Sequence, residues 1–111
     1  MSRFDPQQAL ERLSGDYLQR AAALRRDLAR EHEHDSAEQA QERQNDDVLR
    51  GLLIEAEEEL RRVGLARQRL AQGRYGECQR CGEPIEEARL RAMPAAEYCV
   101  ACTDIAQQDR T

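Results

Sequence analysis

Two cysteine pairs set the strongest limit on how this chain can fold. Residues 78–102 read CQRCGEPIEEARLRAMPAAEYCVAC, which is C-x2-C, seventeen intervening residues, then C-x2-C again. A pair spaced this way offers two sulfurs to one ion from a single tight turn, and two such turns complete a tetrahedron. Soft thiolates in that number suit Zn²⁺. Cys78, Cys81, Cys99 and Cys102 are therefore expected to hold one structural zinc ion. Gly82, directly after Cys81, permits the tight backbone turn of the first knuckle. Gly82-Glu83-Pro84 and Met93-Pro94 are turn signals between the pairs, with room for a short β-hairpin. Four cysteines could also form two disulfides, a redox-active pair or an iron–sulfur ligand set. The redox pair needs a strand–helix context that the surrounding sequence lacks. A closed four-sulfur shell leaves no coordination position for water or substrate, so the chain reads as a non-enzyme.

A metal staple suits the composition. The 111 residues are 40% hydrophobic and 35% charged, with no Trp and a single Phe. Such a chain cannot bury a large core and needs helix pairing or a metal to hold it. No apolar run is long enough to cross a bilayer, and the opening MSRFDPQQALERL lacks the apolar stretch of a signal peptide. A cytoplasmic location is expected, where reducing conditions favour metal-bound cysteines over disulfides. The net charge is −5, and residues 75–111 carry seven carboxylates against four arginines. That balance argues against binding a phosphate backbone as the main task.

Upstream of the cysteines the hydrophobic period is helical. Asp5 suits an N-cap, Pro6 the first helical position, and Gln8 completes a capping box. Leu10, Leu13, Tyr17, Ala21, Leu24 and Leu28 then recur in steps of three and four. The pattern breaks at His32-Glu33-His34-Asp35-Ser36, where Asp35 with Glu38 reads as a second capping box. A second seam follows through Leu49, Leu52 or Leu53, Ala56, Leu60, Val63 and Leu70, with Ala66 standing in where Arg67 interrupts. Glu57/Arg61 and Glu58/Arg62 are i,i+4 pairs in the favourable orientation. Gly73 is a natural residue to end this helix. Gly51 and Gly64 weaken it by about 1 kcal/mol each.

Two long amphipathic helices with a short turn should fold back as an antiparallel pair. The expected fold is mainly α: a two-helix coiled-coil hairpin over residues 1–74 with its tip near 33–38, then a four-cysteine zinc finger over 75–111. The finger is expected to hold a short β-hairpin and a short C-terminal helix, and the chain to be a monomer. Leu24 should face Leu49, Leu13 should face Leu60, and Phe4 should lie near Leu70. Arms of roughly 30 residues reach about 45 Å at 1.5 Å per residue.

Other polar groups are weaker candidates. His32 and His34 form an H-x-H pair that could bind metal, but histidines near a helix C-terminus are favoured by the helix dipole alone. No Ser-His-Asp set or phosphate-binding glycine loop is present. Arg89 and Arg91 lie inside the finger, where they could touch a partner or serve as internal or solvated ion pairs. Asp35, Glu38 and Ala40 fall at the expected tip, where helix capping explains the first two without any function.

Residues 75–102 resemble the four-cysteine finger of the DksA/TraR family (proteins similar to the DnaK suppressor protein). The resemblance rests on Tyr75-Gly76, both C-x2-C pairs at the right separation, Gly82, Ile85, Arg89-Leu90, Ala92 and Pro94. It extends through the hairpin at the level of architecture. It implies a transcription regulator that binds bacterial RNA polymerase rather than DNA. In the family the hairpin enters the secondary channel and sets an acidic tip near the catalytic centre. The family's tip motif, D-x-x-D-x-A, corresponds here to Asp35, Glu38 and Ala40, with Glu38 in place of the second Asp. Long members carry a segment ahead of the hairpin and respond to the alarmone ppGpp partly through basic residues at the hairpin base and finger. Here Arg62 is basic, but Glu55 and Glu59 are nearby and Thr103 follows the last cysteine, and the response stays open. The chain runs nine residues past Cys102, so a short terminal helix is expected. Possible partner contacts are Arg62, Arg89 and Arg91. Two other readings compete: a zinc ribbon that binds nucleic acid directly, and an adaptor of this architecture that has lost polymerase activity.

Overall fold

The computed structural model describes residues 3–30 and 39–103. The expected bend, with His32, His34, Asp35 and Glu38, lies outside them, and Ala40 falls in the first turn of the second helix. Among the described residues three helices form in order: α1 (Pro6–Arg30), α2 (Gln39–Ala71) and α3 (Glu87–Ala92). A further helical stretch occupies residues 100–103. The chain is thus mainly α, as expected. The expected β-hairpin reduces to one antiparallel bridge, Glu77↔Pro84. Pro84 has no N–H to continue a ladder, and the chain beyond it turns into α3.

The start of α1 and the end of α2 follow the sequence signals. The Gln8 amide donates to the Asp5 carboxylate at 3.2 Å, and the Ala9 amide donates to the Asp5 carbonyl at 3.0 Å. At the end of α2, Gly73 has φ of 72°. The Arg74 amide donates back to the Arg69 carbonyl at 2.8 Å, and the Gly73 amide to the Leu70 carbonyl at 3.1 Å. This pair of bonds is the Schellman motif, and its left-handed residue favours glycine.

Contacts divide the molecule into two compact units. One comprises Ser14–Arg61. Among its described residues Ala21, Leu24 and Ala56 are buried and apolar, and Tyr17, Leu28, Leu49, Leu53 and Leu60 are half-buried. Leu53 is less exposed than Leu52, which settles the choice the period left open. Glu57 pairs with Arg25 at 3.4 Å, and Glu58 with Arg61 at 2.7 Å in an i,i+3 arrangement. Asp46 is buried, with Arg50 3.7 Å away.

The other unit combines the chain up to Leu13 with the chain from Arg62 onward. Leu10, Val63, Ala66 and Ala95 form one buried cluster, against which Leu13, Leu70 and Tyr75 pack. Cys78, Ile85, Leu90, Ala96 and Cys102 form a second, covered by Phe4, Tyr75, Tyr98 and Cys99. The neighbours Ala95 and Ala96 go one to each cluster, and Tyr75 belongs to both. Phe4, expected near Leu70, packs on the cysteine-containing cluster, 6.4 Å from the Tyr75 ring. The Arg91 guanidinium lies 5.5 Å over its ring. Among the described residues no helix is long and apolar enough to cross a membrane.

Candidate metal centre

The sulfurs of Cys78, Cys81, Cys99 and Cys102 all lie within 4.8 Å of one another. Those of Cys81 and Cys99, one from each pair, are 3.9 Å apart. Four sulfurs at the usual zinc–sulfur length define a tetrahedron with edges of about 3.8 Å. The cluster needs only slight contraction to meet it.

Backbone bonds build this arrangement locally. In the first knuckle the Gly82 amide donates to the Cys78 carbonyl at 2.9 Å, and Gly82 has φ of 77°, which the tight turn requires. The Cys78 amide donates to Glu83 at 2.9 Å, and the Ile85 amide to Gly76 at 2.7 Å. In the second knuckle the Cys102 and Thr103 amides donate to the Cys99 carbonyl at 3.1 and 2.9 Å. The knuckles are joined by the Gln79 amide, which donates to the Glu97 carbonyl at 2.8 Å. Cys78 and Cys102 are buried, Cys99 is half-buried and Cys81 is exposed.

The electrostatics ask for a cation. Burial pushes the Cys78 thiol up, but the N–H groups of Cys81, Cys99 and Arg80 outweigh it and bring it to about 6. The Cys102 thiol, sharing hydrogen with Cys99 and then opposed by burial and the other sulfurs, is pushed up to about 12. The cluster accepts a first negative charge readily and resists the next. A divalent ion at the centre removes that conflict, since a coordinating thiol is deprotonated outright. The donor set fits a structural zinc site, with all four positions taken by sulfur.

The three arginines singled out in the sequence are placed differently. Arg62 on α2 approaches Glu97 at 3.9 Å, and both side chains are largely buried. Arg89 on α3 donates from Nε to the Tyr98 carbonyl at 2.9 Å and from a terminal nitrogen to the Thr103 hydroxyl at 2.8 Å. Arg91 is exposed and pairs with Glu87 at 3.5 Å. Sequence reasoning missed α3 itself, and with it the inward course of Arg89. The signal was present in EARLRA, a run of good helix formers opened by glutamates and closed before Pro94.

Fold and site define a class: helical proteins that carry a four-cysteine structural zinc finger. Residues 73–108 match the prokaryotic DksA/TraR C4-type zinc finger. The whole fold is similar to the structure of transcription factor DksA2 from Pseudomonas aeruginosa, with a TM-score of 0.83 and 26% identity. That likeness covers 95% of this chain and 82% of the other. An uncharacterized 8.5 kDa protein of Escherichia phage 186 is 40% identical over 53 residues, covering 48% of this chain and 71% of that protein. An uncharacterized protein of Aquifex aeolicus is 40% identical over 50 residues, which are 45% of this chain and 34% of that longer relative. The chain belongs to the DksA/TraR family.

Proposed function

We propose that this chain is a non-catalytic transcription regulator that acts on bacterial RNA polymerase through the secondary channel, without direct DNA recognition. The observation that carries this reading is the likeness to transcription factor DksA2 over 95% of the chain, which takes in the long helices as well as the finger. The closed sulfur shell supports a structural rather than catalytic metal. The excess of carboxylates in the finger supports a protein partner over a phosphate backbone. In this reading the protein works in the cytoplasm as a monomer. Asp35, Glu38 and Ala40 act at the tip, and Arg91, which is exposed on α3, is the basic contact the finger offers a partner.

Binding to purified bacterial RNA polymerase, followed by transcription in vitro from a ribosomal-type promoter, tests the proposal. Binding with a change in transcript yield is the expected result. Binding to free DNA that falls steeply with salt, without polymerase binding, would point to the nucleic-acid ribbon. Polymerase binding with no change in transcription would favour the adaptor, a reading that Glu38 in place of Asp supports.

A further inference from the structure

We propose that Arg89 and Thr103 form a hydrogen-bonded clamp that holds the second zinc knuckle closed and sets how slowly the metal is released. Arg89 sits in the middle of α3, next to Leu90, whose side chain is buried among Cys78, Ile85, Ala96 and Cys102. The packing of Leu90 fixes the helix, so the adjacent guanidinium starts from a fixed base. Its Nε donates to the carbonyl of Tyr98, the residue just before Cys99. A terminal nitrogen donates to the hydroxyl of Thr103, the residue just after Cys102. One side chain thus brackets the whole knuckle.

The hydroxyl completes the clamp. Thr103 Oγ1 donates its only proton to the Cys99 carbonyl at 2.9 Å and accepts from Arg89 on a lone pair. Donor and acceptor directions are therefore both set. Two further reasons tie this arrangement to the metal. Four thiolates around Zn²⁺ carry a net charge of −2, and a guanidinium stays protonated at any working pH. Groups that orient metal ligands from outside the coordination shell commonly change metal affinity by about 10- to 100-fold when removed. A lysine has one compact ammonium and cannot span both acceptors in this fork geometry. Arg89 and Thr103 are positioning residues: neither touches the metal, and they act through Cys99 and Cys102.

The test uses the full-length zinc-loaded protein and a chromophoric chelator that reports zinc release over time. Arg89→Met should release zinc about 10- to 100-fold faster. Thr103→Val keeps the branched shape and should also release it faster, whereas Thr103→Ser should stay near wild type. The double variant should be little faster than Arg89→Met alone, because both changes open the same clamp. Cobalt substitution provides a second readout. The thiolate charge-transfer bands of Arg89→Met should match wild type, showing that four sulfurs still bind. Wild-type release from Arg89→Met or from Thr103→Val would overturn the proposal. So would equal release from Thr103→Val and Thr103→Ser, a comparison that stands even where Arg89→Met fails to fold.

Discussion

The Tyr75 hydroxyl donates a 2.8 Å hydrogen bond to the Pro94 carbonyl, tying the residue that opens the finger to the turn after α3. Tyr75 also packs against both buried clusters of its unit, so this bond closes the polar end of a ring that is otherwise apolar in contact. Buried tyrosines keep a partner for the hydroxyl for this reason.

That environment has a pH signature. Burial, opposed by the Arg69 guanidinium, raises the Tyr75 phenol from 10.0 to about 12. The fold favours the neutral phenol, so its contribution to stability is complete below pH 10, where both states are neutral. It is lost as pH rises from 10 to about 12, where the unfolded phenol ionises first. Tyrosinate absorbance during alkaline titration should show a late step near pH 12 that Tyr75→Phe removes. An identical titration curve for wild type and Tyr75→Phe, apart from amplitude, would contradict this.

Zinc removal should act locally. Among the described residues, Ile85 and Leu90 are the large, fully apolar buried side chains of the cysteine-containing cluster, so the metal should supply much of the folding free energy there. Freshly reduced protein should contain one zinc per chain. Chelation should expose the four thiols to alkylation and leave most of the α1 and α2 helical signal in circular dichroism. Acidification should release zinc as well, because protons compete for the thiolates. Zinc content below about half an equivalent, or collapse of the whole helical signal on chelation, would count against this.

Core substitutions should rank by burial. Leu10 is fully buried, while Leu60 is half-buried. Leu10→Ala should cost roughly 2–5 kcal/mol and lower the thermal midpoint clearly. Leu60→Ala should cost less, because part of its surface is already in water. A larger drop for Leu60→Ala than for Leu10→Ala would show that the burial order is wrong.

What could be read from the sequence follows from the range of each interaction. The seam from Leu10 to Leu28 was legible because helical period alone puts those residues on one face. Gly73 was legible because a left-handed cap is a local backbone demand. The cysteine quartet was legible because metal chemistry fixes ligand type and spacing. Tertiary details were not. Nothing in the period distinguishes Leu52 from Leu53, and only packing does. Asp46 and Arg69 are charged yet buried, which residue type argues against and the three-dimensional surroundings decide. The sequence left Arg89 between a partner contact and a solvated or internal ion pair. Its inward course depends on the carbonyl of Tyr98, nine residues on, and on the hydroxyl of Thr103, fourteen residues on.

The most direct measurement is transcription in vitro by purified polymerase with the double variant Asp35→Asn/Glu38→Gln. In the capping box expected from the sequence, asparagine is also a good N-cap and glutamine an equivalent partner, so the change removes two negative charges without removing a cap-competent residue. If the acidic tip acts at the active centre, where a channel of low dielectric strengthens electrostatics, the charge matters and the fold does not. The variant should then keep helicity and polymerase binding but lose the wild-type effect on transcript yield. A double variant as active as a measurably active wild type would contradict the tip mechanism and leave the adaptor reading in its place.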